Sequence, residues 1–368
     1  MVNDRLGPLM IDVAGLELTE EDCEILEHPA VGGVIIFLRN YQSIEQITHL
    51  NHQIKNLKIK NKKNGNSLLI AVDQEGGTVQ RLKHPLTVLP SMVELGKYYE
   101  YDHHSALSLA KQLGWLLASE LQSLGFDFSF TPVVDLNLCD NKIVKLRSFH
   151  KKSSIVSSLA LALKSGLNHA GMPAVAKHFP GHGGVEADSH FSTPVDNREY
   201  NELDNHDLVP YKHLIADNLE AIMTAHILYN NIDQNIVSFS KFWLNDILRE
   251  KLNFRGLIVS DDLNMSGANF SIDNSTESSA ELCYIDRVNM AFKAGCELIL
   301  LCNNRTAVTS VLDRWSEISW KQSPEYSHKL NNMRSKIDNP VSLSQLQKQS
   351  QWQEIIKNME NLNKIKTA

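Results

Sequence analysis

The chain lacks the marks of membrane proteins, nucleotide-binding Rossmann folds and nucleic-acid-binding proteins. No apolar run approaches the length of a membrane span, and charges interrupt the first fifteen positions where a signal peptide would need an apolar core. No GxGxxG spacing follows an early strand, which disfavours a dinucleotide cofactor. Lysine and arginine are scattered and the net charge is -7, so we expect no nucleic-acid or membrane partner. These absences predict a cytoplasmic protein.

Cysteine is scarce and irregularly spaced. The five cysteines form an odd number without CxxC spacing, which disfavours a disulfide framework and a thiolate metal site. We therefore predict that they are buried free thiols. They are Cys23, Cys139, Cys283, Cys296 and Cys302.

Apolar runs of strand length recur along the 368 residues and alternate with longer amphipathic segments. This alternation is typical of a parallel sheet buried on both faces. The runs lie at 8–12, 33–38, 68–72, 128–134, 174–177, 221–225, 257–260 and 298–302. Helical patterns lie at 19–27, 44–57, 105–124, 154–170, 241–252 and 279–294. Eight strand-helix units predict an α/β fold, specifically a (β/α)₈ TIM barrel.

Polar residues directly follow most of the predicted strands, and they support the barrel. In that fold the active site is built from the carboxyl ends of the strands. These residues are Asp12, Asp73, Asp135, His178, His226, Asp261 and Asn303. We predict one catalytic domain over residues 1–368, in which a helical portion from about residue 306 to 368 packs on the outside of the barrel. Within that portion, 343–362 is predicted as one helix.

The stretch 174–194 concentrates reactive side chains, because His178, His182, Asp188 and His190 follow a short apolar run and are interleaved with glycines. Glycine permits the tight backbone turns of a functional loop. Three interpretations are open at this point. The histidines could bind zinc, Asp188 could orient His190 as a general acid/base, or the loop could be solvated and inert.

Asp261 and Asp262 end the run GLIVSDD, and one of them is a candidate nucleophile or metal ligand. Successive side chains of a strand point to opposite faces, so Asp261 and Asp262 cannot both point into a site at the end of the strand in the same way. The alternative is that both only cap the next segment.

Asp73 and Arg81 flank a glycine pair in VDQEGGTVQRL, where they could bind hydroxyl groups or form an internal ion pair. Isolated arginines are mostly solvated, so the sequence around Arg147 by itself predicts that this residue lies on the surface. Lys177 ends an apolar strand, where a lysine is costly unless it points into a polar cavity.

With these residues in view, the chain resembles the β-N-acetylhexosaminidases of glycoside hydrolase family 3, in particular the cytoplasmic single-domain type of bacterial peptidoglycan recycling. The matching segments are GPLMIDVAG, HPAVGGVIIFLRNY, VDQEGGTVQRL, FTPVVDLN, KHFPGHGGVEADSH, MTAHILY, VSDDLNMSGA and AGCELILLCNN. They cover most of the chain, and KHFPGHG with a following DSH is highly specific. The chain departs from the family pattern at Lys145-Leu146 and at Gly184.

The resemblance implies a role for each matched residue. Asp261 is the implied nucleophile, and His190 with its partner Asp188 is the implied acid/base. The implied ligands of a terminal N-acetylglucosamine are Asp73, Arg81, Arg147, Lys177 and His178, while His226 lies behind the site. Many relatives take their acid/base from a second domain, so here we expect it within the barrel, on the Asp188-His190 loop.

The resulting expectation is a retaining exo-β-N-acetylglucosaminidase that needs no metal and no other cofactor. Its partner is a muropeptide or amino-sugar substrate, and we expect a monomer. One alternative is a metal-dependent barrel hydrolase that uses His178, His182 and His190. The other is a sugar-binding barrel without turnover.

Overall fold

Parallel β-strands form the centre of the molecule. The computed structural model describes residues 6–57, 67–139, 144–185, 189, 192–269, 283–321, 323–337 and 339–365. The strands within them are β1 (Leu9–Ile11), β2 (Val31–Ile36), β3 (Leu69–Val72), β4 (Gln74–Gly76), β5 (Val79–Gln80), β6 (Phe128–Ser129), β7 (Val175–Phe179), β8 (Val195–Asp196), β9 (Ala221–Thr224), β10 (Leu228–Tyr229), β11 (Leu257–Val259) and β12 (Ile299–Leu300).

Helices connect these strands. They are α1 (Glu20–Leu26), α2 (Ile44–Asn56), α3 (Met92–Tyr101), α4 (His103–Ser123), α5 (Ser153–His169), α6 (Tyr200–Asn205), α7 (Leu208–Ala216), α8 (Tyr284–Ala294), α9 (Arg305–Asp313), α10 (Pro324–Asn331), α11 (Leu343–Leu346) and α12 (Ser350–Ile365). A π-helix spans Phe242–Lys251. A capping box begins α1, because the Thr19 hydroxyl accepts from the Asp22 N–H and the Asp22 carboxylate accepts from the Thr19 N–H.

The strands form two main parallel sheets, in the orders β12-β1-β2-β3-β6 and β11-β9-β7. Single parallel bridges lie between the sheets, from Val133 to Lys177 and from Val259 to Leu298. Every residue of these eight strands is buried. This is the pattern of parallel sheet covered on both faces. The predicted α/β fold with parallel strands is confirmed, and each predicted strand has its counterpart.

The fourth predicted strand, 128–134, is shorter than expected. Pro132 has no N–H to donate, so regular pairing with β3 ends near it. The segment then pairs with the other neighbour. The Val175 and Lys177 N–H groups donate to the Thr131 and Pro132 carbonyls at 2.8 and 3.1 Å, and Val134 N–H donates to the Lys177 carbonyl at 2.9 Å. Asp135 is thereby placed beside His178.

An antiparallel hairpin that the sequence pattern did not predict follows β3. Strand β4 pairs with β5 across a turn in which Gly76 and Gly77 have φ of 109° and 57°. Residues with a side chain rarely adopt a φ of 109°, and a Cβ at Gly77 would lie 2.7 Å from Ser91 Cβ, so the glycine pair is required there. The hairpin turns the chain back and keeps Arg81 near Asp73.

The C-terminal portion is helical and packs on α4. The Trp352 indole N–H of α12 donates to the Glu120 carboxylate at 2.9 Å, and Asn358 Nδ2 donates to Gln112 Oε1 at 3.0 Å. The prediction of one helix over 343–362 is wrong, because α11 and α12 are separate helices.

All five cysteines are free, as predicted, but their predicted burial holds only in part. Cys296 and Cys302 are buried, Cys283 is exposed, and Cys23 and Cys139 are partly exposed. The short apolar β12 segment explains the first two, which flank it on either side. In the part of the chain that the structure describes, no helix has both the length and the apolar character needed to cross a membrane.

Candidate active site

A cavity of about 310 Å³ lies at the carboxyl ends of the parallel strands. Its position is the one at which parallel α/β folds place their active sites. It is lined by Ile35, Phe37, Asp73, Glu75, Thr78, Val79, Arg81, Arg147, Lys177, His178, Met223, Asp261, Asp262, Met265, Leu300, Cys302 and Asn303. The structure therefore brings together Asp261 and all five side chains that the sequence assigned to sugar binding.

Lys177 and Asp73 form an ion pair among the charged residues that line the cavity. Lys177 Nζ lies 2.8 Å from Asp73 Oδ1, and Arg81 Nη2 lies 3.8 Å from Asp73 Oδ2. The lysine at the end of a buried strand thus points into a polar cavity, as its cost of burial required. Asp73 and Arg81 approach each other as an ion pair and both line the cavity, so the two interpretations of this pair are compatible.

Glu75 joins Lys177 to Arg147, and the sequence analysis missed it. Its carboxylate accepts two hydrogen bonds from Arg147, from Nε and Nη2, both at 2.8 Å, and lies 2.6 Å from Lys177 Nζ. Burial alone would raise the pKa of Glu75, but Arg147 and Lys177 outweigh it and lower the pKa to about 2. The alternation Asp73-x-Glu75 was the available signal, since residues two apart on a strand share a face.

Arg147 is held in the site, so its expected surface position is wrong. Only 11% of its side-chain surface is exposed, because the bidentate contact with Glu75 draws the guanidinium inward. The departure at Lys145-Leu146 does not displace it. Leu146 is 43% exposed and turns away toward solvent.

His178 is oriented by a buried carboxylate. Its Nδ1 lies 2.7 Å from Asp135 Oδ2, and its Nε2 lies 3.4 Å from Arg147 Nη2. Asp135 also follows a predicted strand, but the sequence pattern gave it no role. Burial would raise the pKa of Asp135, yet its contacts with His178 and His182 lower it to about 2.

Asp261 and Asp262 both line the cavity but are held differently. Asp262 Oδ1 accepts the N–H groups of Asn264 and Cys302, each at 3.0 Å, and burial raises the pKa of Asp262 to about 7. Burial also acts to raise the pKa of Asp261, but His178 and His226 contribute most to keeping it below its usual value. Of the two, Asp262 matches the capping role and Asp261 presents the ionised carboxylate.

His226 supports this segment from behind. It is completely buried, its Nε2 lies 3.1 Å from the Asp262 carbonyl oxygen, and its Nδ1 lies 2.9 Å from Ser238 Oγ. Because a carbonyl only accepts, the imidazole donates from Nε2 and fixes the backbone next to Asp261.

Asp188 and His190, the predicted acid/base pair, lie outside the described residues. Ser189, between them in the sequence, is described and buried. Its carbonyl accepts the Gly267 N–H at 2.8 Å, and its hydroxyl lies 3.2 Å from His182 Nε2. Ser189 is therefore hydrogen-bonded to the segment that follows Asp261 and Asp262.

Gly184, the second departure from the family pattern, lies against an arginine. A Cβ at this position would be 2.2 Å from Arg198 Nη2. Arg198 in turn contacts the carboxylates of Asp196 and Asp207 at 2.8 Å each. A larger residue would disturb these two ion pairs, which explains glycine here.

The metal interpretation receives no support from the described residues, among which no group of three or more histidine, cysteine, aspartate or glutamate side chains could hold an ion. His178, one of the three proposed ligands, has its Nδ1 engaged by Asp135, and its Nε2 lies 3.4 Å from Arg147 Nη2. A guanidinium beside Nε2 repels a cation at that position.

Comparison with known proteins identifies the family to which the chain belongs. The model of the glycosyl hydrolase family 3 N-terminal domain matches residues 1–327. The chain belongs to glycoside hydrolase family 3 and is a glycoside hydrolase.

Within that family, its relatives are β-hexosaminidases. It is 42% identical to the β-hexosaminidase of Nitrosospira multiformis over 341 residues, covering 93% of this chain and 92% of the relative. It is 41% identical to that of Nitrosomonas eutropha over 363 residues, covering 99% and 98%. The crystal structure of NagZ from Neisseria gonorrhoeae in complex with N-trifluoroacetyl-D-glucosamine superposes with a TM-score of 0.86 and 36% identity, covering 98% of this chain and 99% of that one. The chain is thus a family 3 β-hexosaminidase of the NagZ type.

Proposed function

We propose that the protein is a retaining exo-β-N-acetylglucosaminidase that removes terminal, non-reducing N-acetylglucosamine. The observation that carries the proposal is the placement of Asp261 in one cavity with Asp73, Arg147, Lys177 and His178. A pyranose presents hydroxyl groups that each donate one hydrogen bond and accept others. The cavity offers cationic donors beside carboxylate and imidazole acceptors, which suits such a ligand.

The proposed reaction is a double displacement. Asp261 attacks the anomeric carbon while His190, protonated and paired with Asp188, gives its proton to the departing glycosidic oxygen. The resulting glycosyl ester on Asp261 is hydrolysed by water, whose proton passes to the now neutral His190. Histidine suits this exchange because its unperturbed pKa of about 6.5 lies near neutral pH. The bond between Ser189 and Gly267 supports the placement of this loop near Asp261.

The proposed natural substrate is N-acetylglucosamine β-1,4-linked to 1,6-anhydro-N-acetylmuramic acid, with or without its peptide, in cell-wall recycling. The relatives support an amino-sugar substrate, since they are β-hexosaminidases and the gonococcal enzyme is bound to an N-acylated glucosamine. Free thiols at all five cysteines fit the reducing cytoplasm, where we propose that the protein acts as a monomer.

We also propose that the eight parallel strands close into a single (β/α)₈ barrel that forms one domain. The support comes from the pairing order, in which β12 and β6 end one sheet and β11 and β7 end the other. The Val133–Lys177 and Val259–Leu298 bridges lie at these two junctions. A crystal structure in which either junction is open would contradict closure.

Covalent trapping tests the mechanism. The protein is incubated with 5-fluoro-N-acetylglucosaminyl fluoride, digested and examined by mass spectrometry. We expect a glycosyl adduct on Asp261, because the fluorine slows hydrolysis of the ester more than its formation. An adduct on Asp262, or turnover without any adduct, would overturn the assignment.

Two measurements separate this function from its rivals. Hydrolysis of 4-nitrophenyl N-acetyl-β-D-glucosaminide that persists in EDTA would exclude a metal-dependent hydrolase. Saccharide binding without product over several hours would instead support a sugar-binding protein.

A further inference from the structure

Asp135 contacts two histidines, His178 in β7 and His182 after it, through its two carboxylate oxygens. Its Oδ1 accepts the His178 N–H at 3.2 Å and the His182 N–H at 2.7 Å, while its Oδ2 lies 2.7 Å from His178 Nδ1. Only 1% of its surface is exposed, and its own carbonyl accepts the Ser148 hydroxyl at 2.6 Å. One buried carboxylate therefore holds both ends of the turn from His178 to His182.

The partners of His178 determine where its ring proton lies. The carboxylate of Asp135 is ionised near neutral pH, since its pKa is lowered to about 2, so it can only accept. The guanidinium of Arg147, 3.4 Å from Nε2, can only donate. In the neutral imidazole the proton therefore belongs on Nδ1, and Nε2 presents a lone pair.

We propose that Asp135 is a positioning residue, which fixes His178 as its Nδ1-protonated tautomer so that Nε2 accepts a hydroxyl hydrogen bond from the bound sugar. The proposal rests on the proposed function for the identity of that ligand. The same carboxylate ties the turn that leads from β7 to the loop carrying Asp188 and His190. Asp135 itself does not touch the substrate.

Asp135→Asn removes the charge with little change in shape. The amide oxygen can still accept the two backbone N–H groups, but the amide nitrogen donates where Oδ2 accepted. His178 must then accept at Nδ1 and carry its proton on Nε2, where it meets the donors of Arg147. A hydroxyl that donated to Nε2 loses its acceptor.

The first measurement is the tautomer itself. In the full-length protein labelled with ¹⁵N-histidine, the His178 ring signals are assigned by their loss in His178→Gln and followed by long-range ¹H–¹⁵N correlation at neutral pH. We expect protonated Nδ1 and unprotonated Nε2 in the wild type, and the reverse in Asp135→Asn. A wild-type His178 protonated on Nε2 would overturn the proposal, even if Asp135→Asn fails to fold.

The second measurement is hydrolysis of 4-nitrophenyl N-acetyl-β-D-glucosaminide. We expect kcat/KM of Asp135→Asn to fall about 10- to 100-fold. In the double variant, Asp135→Asn should lower kcat/KM less than it does in the wild type, because His178→Gln has already removed the side chain that Asp135 positions. Full additivity, or unchanged kcat/KM, would contradict the proposal.

Asp127→Asn is the matched control. Asp127 precedes the same strand β6 at its other end, is 3% exposed and also accepts a backbone N–H, from Ile70 at 2.8 Å. This variant should keep the wild-type His178 tautomer and kcat/KM. If the wild type hydrolyses no glucosaminide, the proposed function fails, and an Nδ1-protonated His178 in that sample would still support the positioning role.

Discussion

The two ends of the parallel strands use carboxylates in different ways. At the amino ends, carboxylates bind the backbone of neighbouring strands. The contacts run from Ile70 N–H to Asp127, from Ala174 N–H to Glu220 and from Ile258 N–H to Glu297, at 2.8, 3.2 and 3.0 Å. At the carboxyl ends, Asp73 and Glu75 bind the Lys177 ammonium and Glu75 binds the Arg147 guanidinium, beside a cavity.

This difference shows that charge burial alone does not identify a functional site. The carboxylates at the amino ends satisfy N–H groups that would otherwise lack partners, so they stabilise the fold. Those at the carboxyl ends hold cations and an imidazole whose remaining hydrogen-bonding capacity faces the cavity. Variants at the carboxyl ends should therefore affect hydrolysis, and variants at the amino ends should affect stability.

The largest effect is expected for Asp261→Asn, which removes the proposed nucleophile without a change in size. We expect kcat to fall on the order of 10⁴-fold, as for the loss of a covalent catalyst. Steady-state hydrolysis of 4-nitrophenyl N-acetyl-β-D-glucosaminide measures it. Asp127→Asn at the opposite end serves as control and should retain the wild-type kcat. Retained activity in Asp261→Asn would show that Asp261 is not the nucleophile and would contradict a catalytic role for the carboxyl ends of the strands.

His190→Ala should come next. Loss of a general acid/base costs on the order of 10²–10⁴-fold in rate, and the cost should shrink for an activated phenolate, which needs little protonation. The ratio of kcat/KM between wild type and variant is measured for a nitrophenyl glycoside and for a disaccharide. Equal losses for good and poor leaving groups would count against His190 as the acid.

Glu75→Gln should reduce both activity and stability. The variant leaves the buried Arg147 without its paired carboxylate and leaves Lys177 with Asp73 alone. Breaking a buried ion pair in this way typically costs about 3–5 kcal/mol in the free energy of unfolding. Because both cations are proposed to hold the sugar, we expect kcat/KM to fall about 10- to 100-fold. Urea unfolding and steady-state kinetics measure the two effects. A stability loss with unchanged kcat/KM would place Glu75 with the carboxylates of the amino ends.

Asp262 should make stability depend on pH. Its folded pKa of about 7 lies above the unfolded value, so the native state binds more protons between about pH 4 and 7. Stability from this group is present at low pH and is lost as the pH rises through 7. Asp262→Asn mimics the protonated carboxyl and does not titrate.

The test compares urea unfolding of the wild type and Asp262→Asn at about pH 5 and pH 7.5. We expect the wild type to lose on the order of 2 kcal/mol relative to the variant over this interval. Asp207, whose pKa burial raises to about 6, contributes in both proteins and cancels in the difference. A difference that is flat with pH would show that Asp262 is ionised throughout.

The smallest effect on hydrolysis is expected for Glu297→Gln. At the amino ends, Glu297 contacts Arg249 and Lys329 at 2.7 Å each in addition to Ile258 N–H. The glutamine oxygen can still accept from Ile258, so we expect a loss of about 1–3 kcal/mol in stability and a wild-type kcat/KM. A decrease in kcat/KM without a change in stability would erase the distinction between the two ends.

Much of the fold was predictable because its strands are uniformly apolar. Strands buried on both faces leave continuous runs in the sequence, and all eight were located from them. The hairpin of β4 and β5 was missed, because its residues carry no apolar pattern. The end of β6 was misplaced, because the change of hydrogen-bonding partner at Pro132 depends on β7, more than 40 residues away in the chain.

The candidate site was predictable where the position of one residue in the sequence indicates its role. It was not predictable where the role depends on contacts with residues far away in the chain. Lys177 at the end of a buried strand implied a cavity without further information. Glu75 was missed because its importance comes from Arg147, 72 residues away. Asp261 and Asp262 were indistinguishable by position, since the Cys302 N–H that holds Asp262 comes from 40 residues further along the chain.

The pairing of the first strand with the last sets the order in which the protein can be completed on the ribosome. Strand β1 pairs with β2 and with β12, and Asn303 N–H donates to Asp12 at 3.0 Å. One edge of β1 therefore stays unpaired until about 290 further residues have been synthesised. An open apolar edge is prone to association with other chains. Slow translation of the middle of the chain should accordingly favour aggregation, and chaperones that cover nascent strands should raise the yield of active enzyme.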